Sequence, residues 1–231
     1  PYVAAIHGEY ACSQFFLRPS PEMPIPLSPT AERLFLLTLA GIQFSHILDF
    51  MIMMPLGPIL MQALEIGAPE FGLLVASYSF SAAISGLLAA TFIDRFERKR
   101  LLLWCFAFFA LSTLACALAN GHSTLLVARG LAGIFGGIMG ALVQTMIGDA
   151  IPFIRRARAS GIVSTAFSIS TVAGVPVSLW LANQFNWRAP FFFIALMSLV
   201  FILVGARILP ELRQHLDEAK RSHLFSASFA V

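Results

Sequence analysis

Apolar and polar positions along this chain fall into long blocks rather than into a helical or strand period. From residue 71 to residue 93, between Glu70 and Asp94, no Lys, Arg, Asp or Glu occurs. At a helical rise of about 1.5 Å per residue, such a run crosses a hydrocarbon core of roughly 30 Å. It ends in a dense cluster, Asp94, Arg95, Glu97, Arg98, Lys99 and Arg100, before a second apolar run opens at Leu101. The pattern predicts a tight charged hairpin between two membrane helices. Uncharged windows of about 20 residues place helices at 34–61, 71–93, 101–119, 123–147, 160–182 and 189–209. The pattern therefore predicts six crossings, with both ends of the chain on one side.

Composition excludes a soluble domain: the 231 residues are 58% hydrophobic and only 12% charged, where a soluble chain carries about a quarter charged residues. Of the 15 basic residues, all except Arg129 and Arg188 fall in segments that lie on the same side of a bilayer. A basic excess of that kind expresses topology, with hairpins and termini cytoplasmic, and not a nucleic-acid surface. The expected location is a bacterial inner membrane. Residues 1–30 show no period and no signal-peptide h-region, which reads as a disordered tail ahead of a transmembrane domain at 31–210. Cys12, Cys105 and Cys116 have no metal-binding or redox spacing, and the latter two read as core residues. No cofactor is implied.

Candidate chemistry lies where polar groups enter apolar runs. Asp49 sits near the middle of the first span, with His46 three residues before it and Gln43 three before that, so the three approach one helical face. A carboxylate at that depth costs about 2.5–3.5 kcal/mol on insertion scales and is usually turned to a bundle interior or a wet cavity. A purely structural role, joining helices by hydrogen bonds, is the alternative for all three. Met51, Met53, Met54 and Met61 offer either a deformable lining or plain filler, and Pro55, Gly57 and Pro58 predict a kinked outer end. Arg129 enters the outer half of the fourth span, either snorkelling to the interface or facing the bundle, where a permanent cation could pair with an acid or attract an anionic group. Behind it, Gly130, Gly133, Gly136, Gly137 and Gly140 make a smooth face for close helix contact. The fifth span repeats this with Ala166, Ser170, Gly174 and Ser178, and Pro176 predicts a bend. Trp187 and Arg188 are expected at headgroup level. On the inner face, the expected gate pairs Asp94 with Arg156 and Asp149 with Arg98, contacts weak enough to open.

Together these residues resemble the N-terminal half of a major facilitator superfamily transporter, most similar to the drug/proton antiporters and sugar-efflux permeases. The hairpin resembles that family's signature after helix two, with Ala90 as the small residue, Asp94 as the acid and Arg98-Lys99 as the basic pair, and Glu97 where Gly is usual. Leu48-Asp49 with Ile52 and Pro58 resembles the helix-one motif, with Met51 and Met54 replacing Thr and Asn. Arg129 with Gly133 and Gly137 resembles the helix-four motif, Ala132 standing where Gln is common. Gly174-Val175-Pro176 keeps part of the helix-five motif. Trp187-Arg188 and Phe191 are similar to the start of helix six. The likeness covers about residues 33–210.

The resemblance implies an all-α polytopic membrane protein whose six helices form one half, a 3+3 inverted repeat, of a twelve-helix fold with substrate at the midplane. Residues 211–231 then read as a cytoplasmic linker toward a missing second half, and the partners implied are the lipid bilayer, a small-molecule substrate, and that half or a second copy. The expected function is proton-coupled export of a small organic solute by alternating access, with the proton as coupling ion. Asp49 would carry the proton, Arg129 would set its field, and His46 and Gln43 would share the cavity. Two alternatives stand beside it. A rhomboid-like protease requires a Gly-X-Ser-Gly loop, whose first Gly is missing from Ala83-Ile84-Ser85-Gly86. A non-transporting six-helix remnant or scaffold is the other.

Overall fold

A computed structural model describes residues 28–210, and among them every regular element is a helix. The expected linker at 211–231 lies outside these residues, as does the expected tail apart from Ser28, Pro29 and Thr30. Those three belong to the first helix. Ser28 caps α1 (Pro29–Met51), its hydroxyl accepting a 3.2 Å hydrogen bond from the Ala31 amide, and Pro29 fills the first turn, where its missing N–H costs nothing.

The first crossing continues through α2 (Met53–Leu64). The interruption falls at Ile52, which keeps right-handed helical backbone angles. Pro55 and Pro58 have no N–H to offer the carbonyls of Met51 and Met54, so the helix loosens just before them. Glu65, in the left-handed conformation at φ 53°, closes α2, and the Ile66 amide reaches back to the Met61 carbonyl at 3.1 Å. The second crossing is α3 (Ala68–Phe92) with a 3-10 turn at Ile93–Arg95, the third α4 (Arg98–Ala117), and the fourth α5 (His122–Ala150).

The fifth crossing begins seven residues earlier than its uncharged window at 160–182: α6 (Phe153–Ile169) carries Arg155, Arg156 and Arg158 in its first turns. Charge marks where a helix leaves the bilayer, not where it starts. A π-helical turn at Ser170–Gly174 then joins α6 to α7 (Val175–Gln184). Pro176 lacks an amide, and the wider π turn falls just before it, at the place where the sequence predicts a bend. The sixth crossing is α8 (Ala189–Ile208). All six crossings are long and apolar enough to span a membrane.

Packing follows the small residues. α3 lies along α5, α1 lies along α6, and α4 and α8 pack on each other and respectively on α5 and α1. Exchanging the first three crossings with the last three turns the α3–α5 contact into the α6–α1 contact, and the α4–α5 contact into the α8–α1 contact. The contact pattern is thus that of two related three-helix units. Large apolar side chains such as Leu87, Leu111, Val172 and Leu203 stay exposed, which hydrocarbon surroundings make favourable.

Candidate functional site

Asp49 on α1 and Arg129 on α5 meet in the interior. The Arg129 Nη1 donates to Asp49 Oδ2 at 2.6 Å and to the Asp49 carbonyl at 3.1 Å, and neither side chain has any exposed surface. Arg129 therefore does not snorkel. Its guanidinium carbon lies 4.5 Å from the ring centroid of Tyr78 on α3, a cation–π contact in a site closed to water. Thr113 on α4, also fully buried, lies within interacting reach of the Asp49 carboxylate. Side chains from α1, α3, α4 and α5 thus surround one ion pair, while Nε and Nη2 of Arg129 make no hydrogen bond among the described residues. Taking two charges out of water is costly unless they hold each other.

Next to the pair is a cavity of about 450 Å³, lined among others by His46, Phe50, Met51, Tyr78, Gly136, Gly140 and Phe167. The expected shared cavity of Gln43, His46, Asp49 and Arg129 is corrected here. His46 lines it; Asp49, Arg129 and Gln43 do not. The two charges attract each other across the α1–α5 contact more strongly than a largely apolar cavity can solvate them separately, so they close on each other behind the wall. Of the four methionines, Met51 reaches the cavity, Met53 is buried and Met54 is 66% exposed. A groove of about 540 Å³ between α4 and α8 is lined only by Ala, Leu, Phe and Ile, and offers no polar group for recognition.

Glycine lets these walls meet. A Cβ on Gly133 or Gly137 would drive into the backbone oxygens of Tyr78 and Ala82, and one on Gly136 would lie 2.5 Å from the Tyr78 hydroxyl. Gly140 has open space before it, because it faces the cavity. On the fifth crossing Ala166, Ser170, Gly174 and Ser178 are all buried. There a Cβ on Gly174 would come within 2.7 Å of Leu48, and the Ser170 hydroxyl donates to the Phe44 carbonyl at 3.3 Å.

At the ends of the helices on the charged side, Arg98 is the centre. Its Nε donates to Asp149 at 3.0 Å and its Nη2 to Asp94 at 2.7 Å, with only 4% of the side chain exposed. The expected Asp149–Arg98 pair is present, and the expected Asp94–Arg156 pair is not. Arg98 begins α4 four residues after Asp94 and takes both acids, whereas Arg156, carried onto α6, donates to the Ile151 carbonyl at 2.9 Å and lies over the Phe153 ring. A second bridge, Arg155 to Glu32 at 2.8 Å, ties α6 to α1. Glu32 was not legible as a partner, because the start of α1 lay in a stretch without period. At the other end, in the turn between the fifth and sixth crossings, Trp187 is buried against the protein: Phe191 packs edge-on against it and Arg188 covers it while donating to the Ala119 carbonyl at 2.8 Å. Cys105 and Cys116 are buried as core residues.

Tyr78 is the site residue that the sequence did not reveal. It stands in an uncharged run without a motif, and only its position opposite Gly133 and Gly136 marks it.

The comparisons bear on this architecture directly. Residues 39–230 match the family model of the Major Facilitator Superfamily. The chain is 29% identical over 169 residues to YceJ, an uncharacterized MFS-type transporter of Bacillus subtilis, covering 71% of the chain and 42% of that protein. To Multidrug resistance protein 2 of Bacillus subtilis it is 28% identical over 180 residues, covering 78% of the chain and 44% of that protein. Among solved structures, it superimposes with a TM-score of 0.69 on a bacterial homologue of the human lysosomal transporter Spinster, at 19% identity over 80% of the chain and 44% of that one. The proton:xylose symporter XylE gives a TM-score of 0.68 at 18% identity, over 82% and 47%. The chain spans less than half the length of these relatives. By the match of its sequence across most of its length and by its six-helix architecture, it belongs to the Major Facilitator Superfamily.

Proposed function

We propose that these six helices are half of a secondary transporter that exports a small organic solute against proton entry by alternating access, with a second six-helix half or a second copy completing the path. The reading is supported most by one observation: a fully buried 2.6 Å ion pair, Asp49–Arg129, set beside a cavity of about 450 Å³. Protonating Asp49 removes the charge that compensates Arg129, and an uncompensated buried cation is costly by about 3–5 kcal/mol. That is enough to favour a different packing of α1 on α5, which is how proton uptake can be coupled to a change of access. His46 and the aromatic lining contact the solute. Arg98, with Asp94 and Asp149, and Arg155, with Glu32, hold the cytoplasmic ends together until the change occurs. The inner membrane, with charged hairpins cytoplasmic, is the setting this reading requires.

The test is Asp49→Asn in the complete protein, assayed in everted membrane vesicles under an imposed proton gradient. The expected outcome is normal membrane insertion with proton-driven solute movement abolished. Gradient-driven export at the parent rate removes Asp49 from the coupling.

A further inference from the structure

Asp49 and Arg129 are sealed, yet the cavity lies next to them, and a specific side chain stands between. Tyr78 lines the cavity on one side and places its ring 4.5 Å under the Arg129 guanidinium on the other. Its hydroxyl donates to the His46 carbonyl at 3.3 Å, a long bond, and its ring leans on Phe50 at 5.5 Å between centroids. Gly136 leaves the hydroxyl its seat, since a Cβ there would lie 2.5 Å from the oxygen. The ring is therefore held by one long hydrogen bond, one cation contact and the Phe50 ring, and it borders the cavity.

We propose that Tyr78 is the barrier between the cavity and the Asp49–Arg129 pair, so that water and protons reach the carboxylate only when its ring swings into the cavity. Tyr78 acts here as a positioning residue: it touches Arg129 and controls what else can reach the pair. The proposal deepens the proposed function and draws on it for the purpose of the barrier. Its geometry is testable without any transport.

Cys116 on α4 is the natural reporter, being fully buried and within electrostatic reach of both Asp49 and Arg129. In the whole chain with Cys12 and Cys105 replaced by serine, the rate at which methyl methanethiosulfonate modifies Cys116 is followed by mass spectrometry in membranes. Tyr78→Ala is expected to accelerate modification at least about tenfold, and Tyr78→Leu, the second variant if alanine does not accumulate, to do the same. Tyr78→Phe keeps the ring, and Leu74→Ala loosens the same buried helix face one turn away. Leu74→Ala is expected to stay within about threefold of the parent, and Tyr78→Phe, which loses only the hydroxyl's long hydrogen bond, to fall well short of Tyr78→Ala. The proposal is overturned if removing the ring leaves the rate unchanged, or if Leu74→Ala opens the site as much as Tyr78→Ala. Proton-driven export in the same variants is a separate reading: labelling that follows the ring while export does not would retain the barrier and remove its role in coupling.

Discussion

At 2.6 Å and with no exposed surface on either side chain, the Asp49–Arg129 contact is a pair whose members cannot be altered singly without leaving a buried charge. Arg129→Gln is accordingly expected to lower the unfolding midpoint in detergent by the equivalent of about 3–5 kcal/mol, while Asp49→Asn with Arg129→Gln recovers a large part of that loss. A thermal unfolding series on the parent, both single variants and the double variant checks this. Independent, additive losses would show that the two residues are not coupled. The same scale explains which site residues could be read from sequence. A charge inside an apolar run announces itself by its insertion cost, so Asp49 and Arg129 were visible and Tyr78 was not. What no cost function on a single run reveals is the partner: an acid was one expected counterpart of a bundle-facing Arg129, but that it is Asp49, and that the pair closes on itself away from the cavity, comes from the packing.

At the scale of elements, the small-residue stripes decide how near two helices come. A Cβ on Gly137 would meet the Ala82 backbone oxygen, which cannot move without shifting α3, whereas Gly140 has nothing within 4 Å. Gly137→Ala should therefore reduce the yield of folded protein, at an overpacking cost of about 1–3 kcal/mol or more, and Gly140→Ala should leave yield and unfolding midpoint unchanged. Size-exclusion profiles of the two variants after extraction check the contrast. The crossings themselves were legible as uncharged runs because lipid forbids unpaired backbone groups and charged flanks mark the exits. Their ends were less legible. α1 starts at Pro29 and α6 at Phe153, since a helix continues past the membrane wherever its backbone remains satisfied, charged residues included.

At the scale of the whole molecule, Arg98 ties the ends of three successive crossings together through Asp94 and Asp149. Asp94 is 77% exposed on its side chain and Asp149 33%, so the second contact is the stronger, being less open to solvent screening. Arg98→Ala is expected to accelerate amide hydrogen exchange in the turns at 93–98 and 149–153, with Asp149→Asn intermediate and Asp94→Asn smallest. Equal protection in all three variants would show that these ions do not hold the charged ends of the helices together. The match covers only 42% of one family relative and 44% of another, which leaves room in such proteins for the second half proposed above.

The sequence by itself determined the class, the number of crossings, the placement of charge at their ends and the two buried ions, because each follows from the free energy of moving a residue type into hydrocarbon, a local quantity. Tertiary structure alone decided which groups became partners. That Arg98 meets both Asp94 and Asp149, that Arg156 meets neither, that Trp187 packs on Phe191, and that the Tyr78 ring lies against Arg129 all depend on helix rotation and depth. Those are set by how glycine, serine and alanine faces nest together, a sum over many weak contacts between segments far apart in the chain.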